Sequence, residues 1–298
     1  MDKSASDILA FVSRKIANGK RADELVLLKR ALDATRSRRG NAAGACAPPA
    51  ERRAAEAACA KASERAAACP ASAAGVLSGR FDKKNPALFE LRPDGSLAPT
   101  AAFEEALAND AFCDQLEETL NFGLARWSRD YAEPYAGTDL VLGAKYTYED
   151  ACRLLGWETN VNAQNIGGYR YDAPTNTFAV FINYEKDPAI SDTIKYEDRF
   201  TSPRFLTAIS KQPRTLESPE IVRLKAWPGN GMRTFLFVRK NKEDKEGKEF
   251  YFLGTMHPTQ SYRAFTMPNT SKQAVEIGYE LDVPVRDDLY AYLTSSIA

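Results

Sequence analysis

Histidine is the scarcest chemical resource in this sequence, and its scarcity sets the first bounds. Among 298 residues there is one, His257. A single imidazole excludes every metal site built on two histidines and argues against HNH-type and phospholipase D-type nuclease chemistry. A Ser-His-Asp triad would have to run through His257, which precedes Pro258 near the end of an apolar, strand-like run and reads as structural. The five cysteines, Cys46, Cys59, Cys69, Cys113 and Cys152, are odd in number and form no C-x-x-C pair. A structural zinc site is therefore not expected, and reduced, inert thiols are. There is no run of 18 apolar residues, so no membrane-spanning helix is expected. The N-terminal MDKSASDILAF lacks the basic start and apolar stretch of a signal peptide. These absences predict a soluble, cytoplasmic protein with no membrane partner. No G-x-x-x-x-G-K-[ST] loop is present, and "NIGGYRY" lacks the G-x-G-x-x-G spacing of a dinucleotide site. No cofactor and no metal are expected.

Net charge is also missing: 40 basic side chains balance 40 acidic ones. That balance hides a local excess. From Lys195 to Lys240 ten basic residues face four acidic ones. The stretch opens with "YEDRFTSPRFLTAISKQPRTLESPE", where aromatics are interleaved with charge and two Ser-Pro pairs punctuate the run.

The apolar periodicity divides the chain. Residues 5–39 predict two helices broken at Asn18-Gly19, with Ile8, Phe11 and Ile16, then Leu25, Leu28 and Leu32, at helical spacing. This hairpin carries five excess positive charges, a pattern that usually marks a solvated face. From Asn41 to Gly75 about half the residues are alanine, which favours helix but buries little surface; the segment reads as a spacer outside the core. In the next helical stretch Phe112, Leu116, Leu120, Leu124, Trp127 and Tyr131 form one apolar stripe. "KYTYEDACRLLGW" predicts a short helix capped by Thr147, with Asp150 three residues on.

After Trp157 the period changes to near two. One hairpin is expected from Gly168–Asp172 and Thr177–Tyr184. A second is expected from "GMRTFLFVRKN" and "EFYFLGTMHP", and "AVEIGYELDVPV" adds a further strand. Ser202-Pro203 and Ser218-Pro219 each predict a helix start between the hairpins. "DDLYAYLTSS" predicts a closing helix capped by Asp287. The chain is thus expected to be α+β, a helical N-terminal region followed by a mixed, partly closed β-sheet domain with short bridging helices; a PUA-like barrel is one form of that closure. The expected boundaries are a helical hairpin connector at 1–40, an Ala-rich spacer at 41–87, a helical subdomain at 88–157 and an α+β sheet domain at 158–298.

The segments "KYTYEDACRLLGWETNVNAQNIGGYRYD", "FINYEKDPAISDTIKYEDRFTSP", "SKQPRTLESPEI", "FLFVRK…EFYFLG" and "PVRDDLYAYL" together resemble a domain of unknown function at the C-terminus of bacterial DEAD/DEAH-box helicases. Those helicases often also carry a phospholipase D-like nuclease domain. The resemblance covers roughly residues 100–298, and residues 1–40 look like the connector that follows the helicase core. The chain itself has neither the helicase motifs nor the nuclease signature. The resemblance implies a helicase-linked setting, with restriction or phage defence as its context and a helicase core or nuclease subunit as partner.

Three functions follow as expectations. The first is non-catalytic DNA recognition, of modified or single-stranded DNA in particular. Lys195, Arg199, Arg204, Lys211, Arg214, Arg239 and Lys240 would meet phosphates. Gln212 and Asn183 would read base edges, and Tyr196 and Phe200 would stack on an exposed base. The second is a docking or regulatory module for a helicase core, which would leave apolar surface on the Phe112–Tyr131 helix exposed. The third, least favoured by residue chemistry, is a metal-dependent nuclease using Asp172, Asp187, Asp192, Glu197, Asp198 or the E-x-K spacings among Glu243, Lys245, Glu246 and Lys248.

Overall fold

The computed structural model describes residues 3–40, 49–65, 71–166, 168–184, 198–240, 248–267 and 271–295. The chain divides into two compact units: Met1–Leu140 with Cys152–Asn160, and Val141–Ala151 with Val161–Ala298.

The first unit is mainly helical. Helix α1 (Lys3–Phe11) runs into a π-helical turn, Val12–Ile16, and α2 (Ala22–Arg38) follows. Ile8, Phe11, Ile16, Leu25, Leu28 and Leu32 are all buried, as their spacing predicts. Gly19 makes the break at φ +74°, and a Cβ there would meet Gly123 O at 2.8 Å. Gly123 lies in α6 (Asp110–Asp130), where a Cβ would meet Leu25 at 2.7 Å and Ala17 at 3.0 Å. Two glycines therefore let the turn and the helix touch backbone to backbone. The α6 stripe Phe112, Leu116, Leu120, Leu124, Trp127 and Tyr131 is buried throughout. Helix α3 (Pro49–Arg65), in the alanine-rich segment, packs on α2 and α6 with Ala58 and Ala62 buried. Helix α4 (Ala71–Leu77) buries Ala73, Ala74, Val76 and Leu77. The segment read as a spacer outside the core thus contributes small side chains to it, because alanine permits close helix approach even where it buries little area of its own.

Three positive charges in or just beyond α2 have partners on α6. Lys29 donates to Glu117 at 2.6 Å, Arg36 bonds Glu117 and Asp114, and Arg39 reaches Asp110 at 3.2 Å. Beneath the hairpin lies a buried ionic cluster. Arg21 holds Glu24 with two bonds, Nε to Oε2 at 2.8 Å and Nη2 to Oε1. It also donates to Ser72 Oγ and Arg153 O. Arg153 donates to Lys15 O at 3.1 Å and lies 3.4 Å from Glu24 Oε1. Burial pushes the Glu24 carboxyl up, but Arg21 and Arg153 more than offset this and hold it below its ordinary value. Neighbouring Asp23 has the opposite fate. Burial raises it to about 6, with Asp139 and Glu24 adding to the rise and Arg21 opposing it.

The second unit is built on one mixed sheet. Its order is β4 (Tyr169–Asp172), β5 (Thr177–Asn183), β8 (Arg233–Arg239), β9 (Phe250–Thr266), β10 (Gln273–Leu281), β7 (Phe205–Ile209) and β6 (Arg199–Phe200). A short strand β3 (Lys145–Tyr146) adds to β9. Among the described residues only β5–β8 is parallel, and no ladder joins β4 to β6, so the sheet is open and not a closed barrel. It nevertheless curls, since Tyr169 of β4 accepts a hydrogen bond from the backbone of Lys211, just beyond β7. Both ladders of β9 shift register, at Leu236/Phe237 and at Ile277/Tyr279. Gly254 (φ +99°) and Gln260 (φ +63°) lie at these irregularities, which bend a strand and raise its twist.

The concave face buries Val180, Leu236, Met256, Ile277 and Tyr279 against α9 (Pro219–Lys225) and α10 (Asp287–Thr294). The other face carries Phe181, Phe237, Phe250 and Phe252 beside Tyr148. Tyr148 opens α7 (Tyr148–Leu154), which begins with the expected capping box: Asp150 N donates to Thr147 Oγ1 and Thr147 N to Asp150 Oδ2.

Three local expectations are corrected. Ser202-Pro203 starts no helix; Ser202 Oγ accepts from Arg204 N and Phe205 N, a turn that launches β7 onto β10. Ser218-Pro219 does start α9, but Ser218 Oγ accepts from Thr215 N instead of capping the helix. Asp287 is the first residue of α10, and Arg286 stands at the cap position.

Two outcomes test the ionic cluster. Glu24→Gln strands Arg21 in the interior and should cost about 3–5 kcal/mol in urea unfolding; a loss under about 1 kcal/mol would refute the cluster's role. Asp23 has a raised folded pKa, so it favours folding most when protonated. Its unfavourable contribution grows as pH rises from about 4 to about 6. Asp23→Asn should therefore raise the melting temperature at pH 7 more than at pH 4, and equal shifts at both would contradict this.

Candidate nucleic-acid interface

The basic run is continuous in sequence, and the sheet splits it. Lys195 and Tyr196, with Asp187, Asp192 and Glu197, lie outside the described residues, as do Glu243, Lys245 and Glu246. Phe200 belongs to the core, between Tyr184 and Tyr290, and offers no face to a base. Arg199 is exposed on β6 in register with Thr207. Arg204 donates to Glu280 at 2.8 Å. At the far end of β8, Arg239 bonds Asn183 Oδ1 and lies 4.4 Å from the Phe250 ring centre, so Asn183 is already engaged. Lys240 donates to Ser295 and sits over Tyr292. Along the strand order, β6 and β8 are four ladders apart, and these residues do not form one face.

Lys211, Gln212 and Arg214 behave differently. They follow β7 at the seam where the curled sheet brings β7 towards β4. Lys211 Nζ lies 4.8 Å over the Tyr169 ring. Gln212 is exposed and precedes Pro213 through a cis peptide. Arg214 donates twice to Glu220 Oε1, at 3.0 and 3.1 Å. Two cations not expected at the interface sit on β4 and α9. Arg170, exposed on β4, is close enough to repel Lys211. Arg223 of α9 covers the Tyr171 ring at 3.8 Å. Burial, then Arg214 and Arg170, lower the proton affinity of Lys211, with Glu220 opposing. Arg223 stands within the basic run, three residues past Glu220 on one helix face, whereas Arg170 in "YRYD" carries no local mark of its neighbours.

The other candidate chemistries are accounted for locally. Asp172 accepts from Thr175 in the β4–β5 turn, and Asp198 from Ile209 N. His257 stacks on Trp227 at 4.6 Å, with Nδ1 3.1 Å from Asp282 and Nε2 3.4 Å from Glu280. Glu280 occupies the side of the ring where a triad needs its serine. Among the described residues no group of three His, Cys, Asp or Glu side chains is placed to hold a metal.

The family described as "Domain of unknown function (DUF3427)" matches residues 140–293. The chain belongs to this family. No curated protein matches the chain. The DUF3427 span contains every residue of the seam: Arg170, Lys211, Arg214, Glu220 and Arg223.

If Glu220 is the counter-charge at the seam, Glu220→Gln should lower the melting temperature at low salt, by the equivalent of about 1–2 kcal/mol. The gap from wild type should narrow as salt screens the remaining cations. A gap independent of salt would mean that Glu220 acts through packing alone.

Proposed function

We propose that this DUF3427 protein is a non-catalytic nucleic-acid-binding module, with DNA as its ligand, that works beside a helicase core in a restriction or defence setting. One observation carries the reading. The fold holds Lys211 over Tyr169, with Arg214 and Arg170 near enough to add to burial in lowering its proton affinity, and with Glu220 as the carboxylate that faces them. Like charges gathered at a protein surface are relieved by a polyanion, and phosphate contacts supply most non-specific nucleic-acid affinity. The helicase setting draws on the resemblance of the quoted segments to helicase C-terminal domains.

A docking role is the second reading. Phe122, on α6, is 62% exposed while the stripe on the same helix is buried. On α6 that is a single ring, set against the three cations of the seam, so the binding reading is preferred.

Fluorescence anisotropy of the full chain against labelled single- and double-stranded DNA, at two salt concentrations and with and without magnesium, tests the proposal. Binding should fall with salt, with a log–log slope near −3 for about three phosphate contacts on duplex. Arg170→Glu combined with Lys211→Glu should weaken binding at least about tenfold. A folded double variant that binds as wild type removes the seam from the interface. Cleavage on adding magnesium would overturn the non-catalytic assignment.

A further inference from the structure

Resting on the nucleic-acid reading above, we infer that the seam grips the phosphodiester backbone and takes no base. A base needs either a free aromatic face or a pocket, and among the described residues the seam offers neither. Tyr169 stacks on Phe178, with centroids 5.3 Å apart at 26°, and is capped by Lys211; the residue is only 8% exposed. Tyr171 packs against the core cluster and lies beneath Arg223, its hydroxyl donating to Asn176. Phe200 is in the core. The cavity behind the seam, lined by Tyr169, Ser210, Ile221 and Tyr279 among others, measures about 20 Å³. That is room for about one water molecule, against the roughly 300 Å³ at the lower end of ligand pockets.

The cations are in the opposite condition. An aromatic ring beneath a cation contributes a quadrupole and no counter-charge. Lys211 and Arg223 are thus oriented by rings that do not neutralise them. Such groups meet any phosphate that arrives, whatever base it carries. The structure assigns this site a ligand class, the polyphosphate backbone itself. Reading of sequence or base modification, if the protein does it, lies elsewhere.

The test compares, on the full chain, a labelled single-stranded DNA oligomer with an abasic phosphodiester oligomer of equal length, using inorganic polyphosphate as competitor. The two oligomers should bind within about threefold of each other. Polyphosphate should displace both, and Arg170→Glu with Lys211→Glu should weaken both by the same factor. A base-bearing oligomer that binds tenfold or more tightly than the abasic one overturns the inference and leaves the nucleic-acid reading intact. Failure of polyphosphate to compete also overturns it. Failure of both oligomers to bind at low salt overturns both proposals together.

Discussion

The second unit depends on how β9 bends. This strand is 17 residues long and pairs with β3, β8 and β10. Both of its long ladders contain a register shift. Each shift adds residues on one side of a ladder, so the strand coils instead of lying flat. Gly254 accepts the positive φ at the first shift without steric cost. Gly278, opposite the second, leaves room for Thr259, whose hydroxyl would lie 2.6 Å from a Cβ placed there. The coil is what carries the end of β7 towards β4. Without it Tyr169 and Lys211 would sit at opposite sides of a flat sheet, and no seam would exist.

The two units use partly different chemistry for positive charge. In the first, Lys29, Arg36 and Arg39 lie against Asp110, Asp114 and Glu117, and Arg21 is buried against Glu24. In the second, carboxylates hold Arg204, Arg214 and Arg263, while Lys145, Lys211, Arg223, Lys225, Arg239 and Lys240 each lie over an aromatic ring. A ring orients a cation but supplies no counter-charge. A zero net charge over the whole chain therefore conceals these ring-held cations of the sheet unit, and they separate the candidate interface from the ion-paired helical hairpin.

What the sequence disclosed was local. The α6 stripe, the Thr147–Asp150 capping box, and both hairpins depend on periods and spacings within a dozen residues or so, and all were legible. Ser202-Pro203 misled because its helix-start signal is weaker than the pairing of Leu206 with Tyr279, a partner more than seventy residues away. The seam was half legible. Lys211 and Arg214 stood out in a basic run, but Arg170 lies far outside it, and nothing local announces that β4 and β7 approach. The clue that was available, an isolated glycine inside the strand "EFYFLGTMHP", signals a bulge and hence curvature, but not which edges the curvature joins. Phe200 and Tyr169 show the same limit from the other side, since exposure of an aromatic is decided by tertiary packing.

The local basic excess has an explanation in topology. β5 and β8 are parallel neighbours, and parallel strands cannot be joined by a tight turn. The chain must leave the end of β5 and return to the start of β8, and residues 184–232 make that crossing. This one connection carries β6, β7 and α9, and with them Lys211, Arg214, Glu220 and Arg223. The basic run nevertheless does not converge as a whole. Its described ends go to β6 and β8, four ladders apart, and only its middle, Lys211 and Arg214 just past β7, meets β4. A contiguous run of charge in sequence becomes a local site only where this connection passes the opposite edge of the sheet.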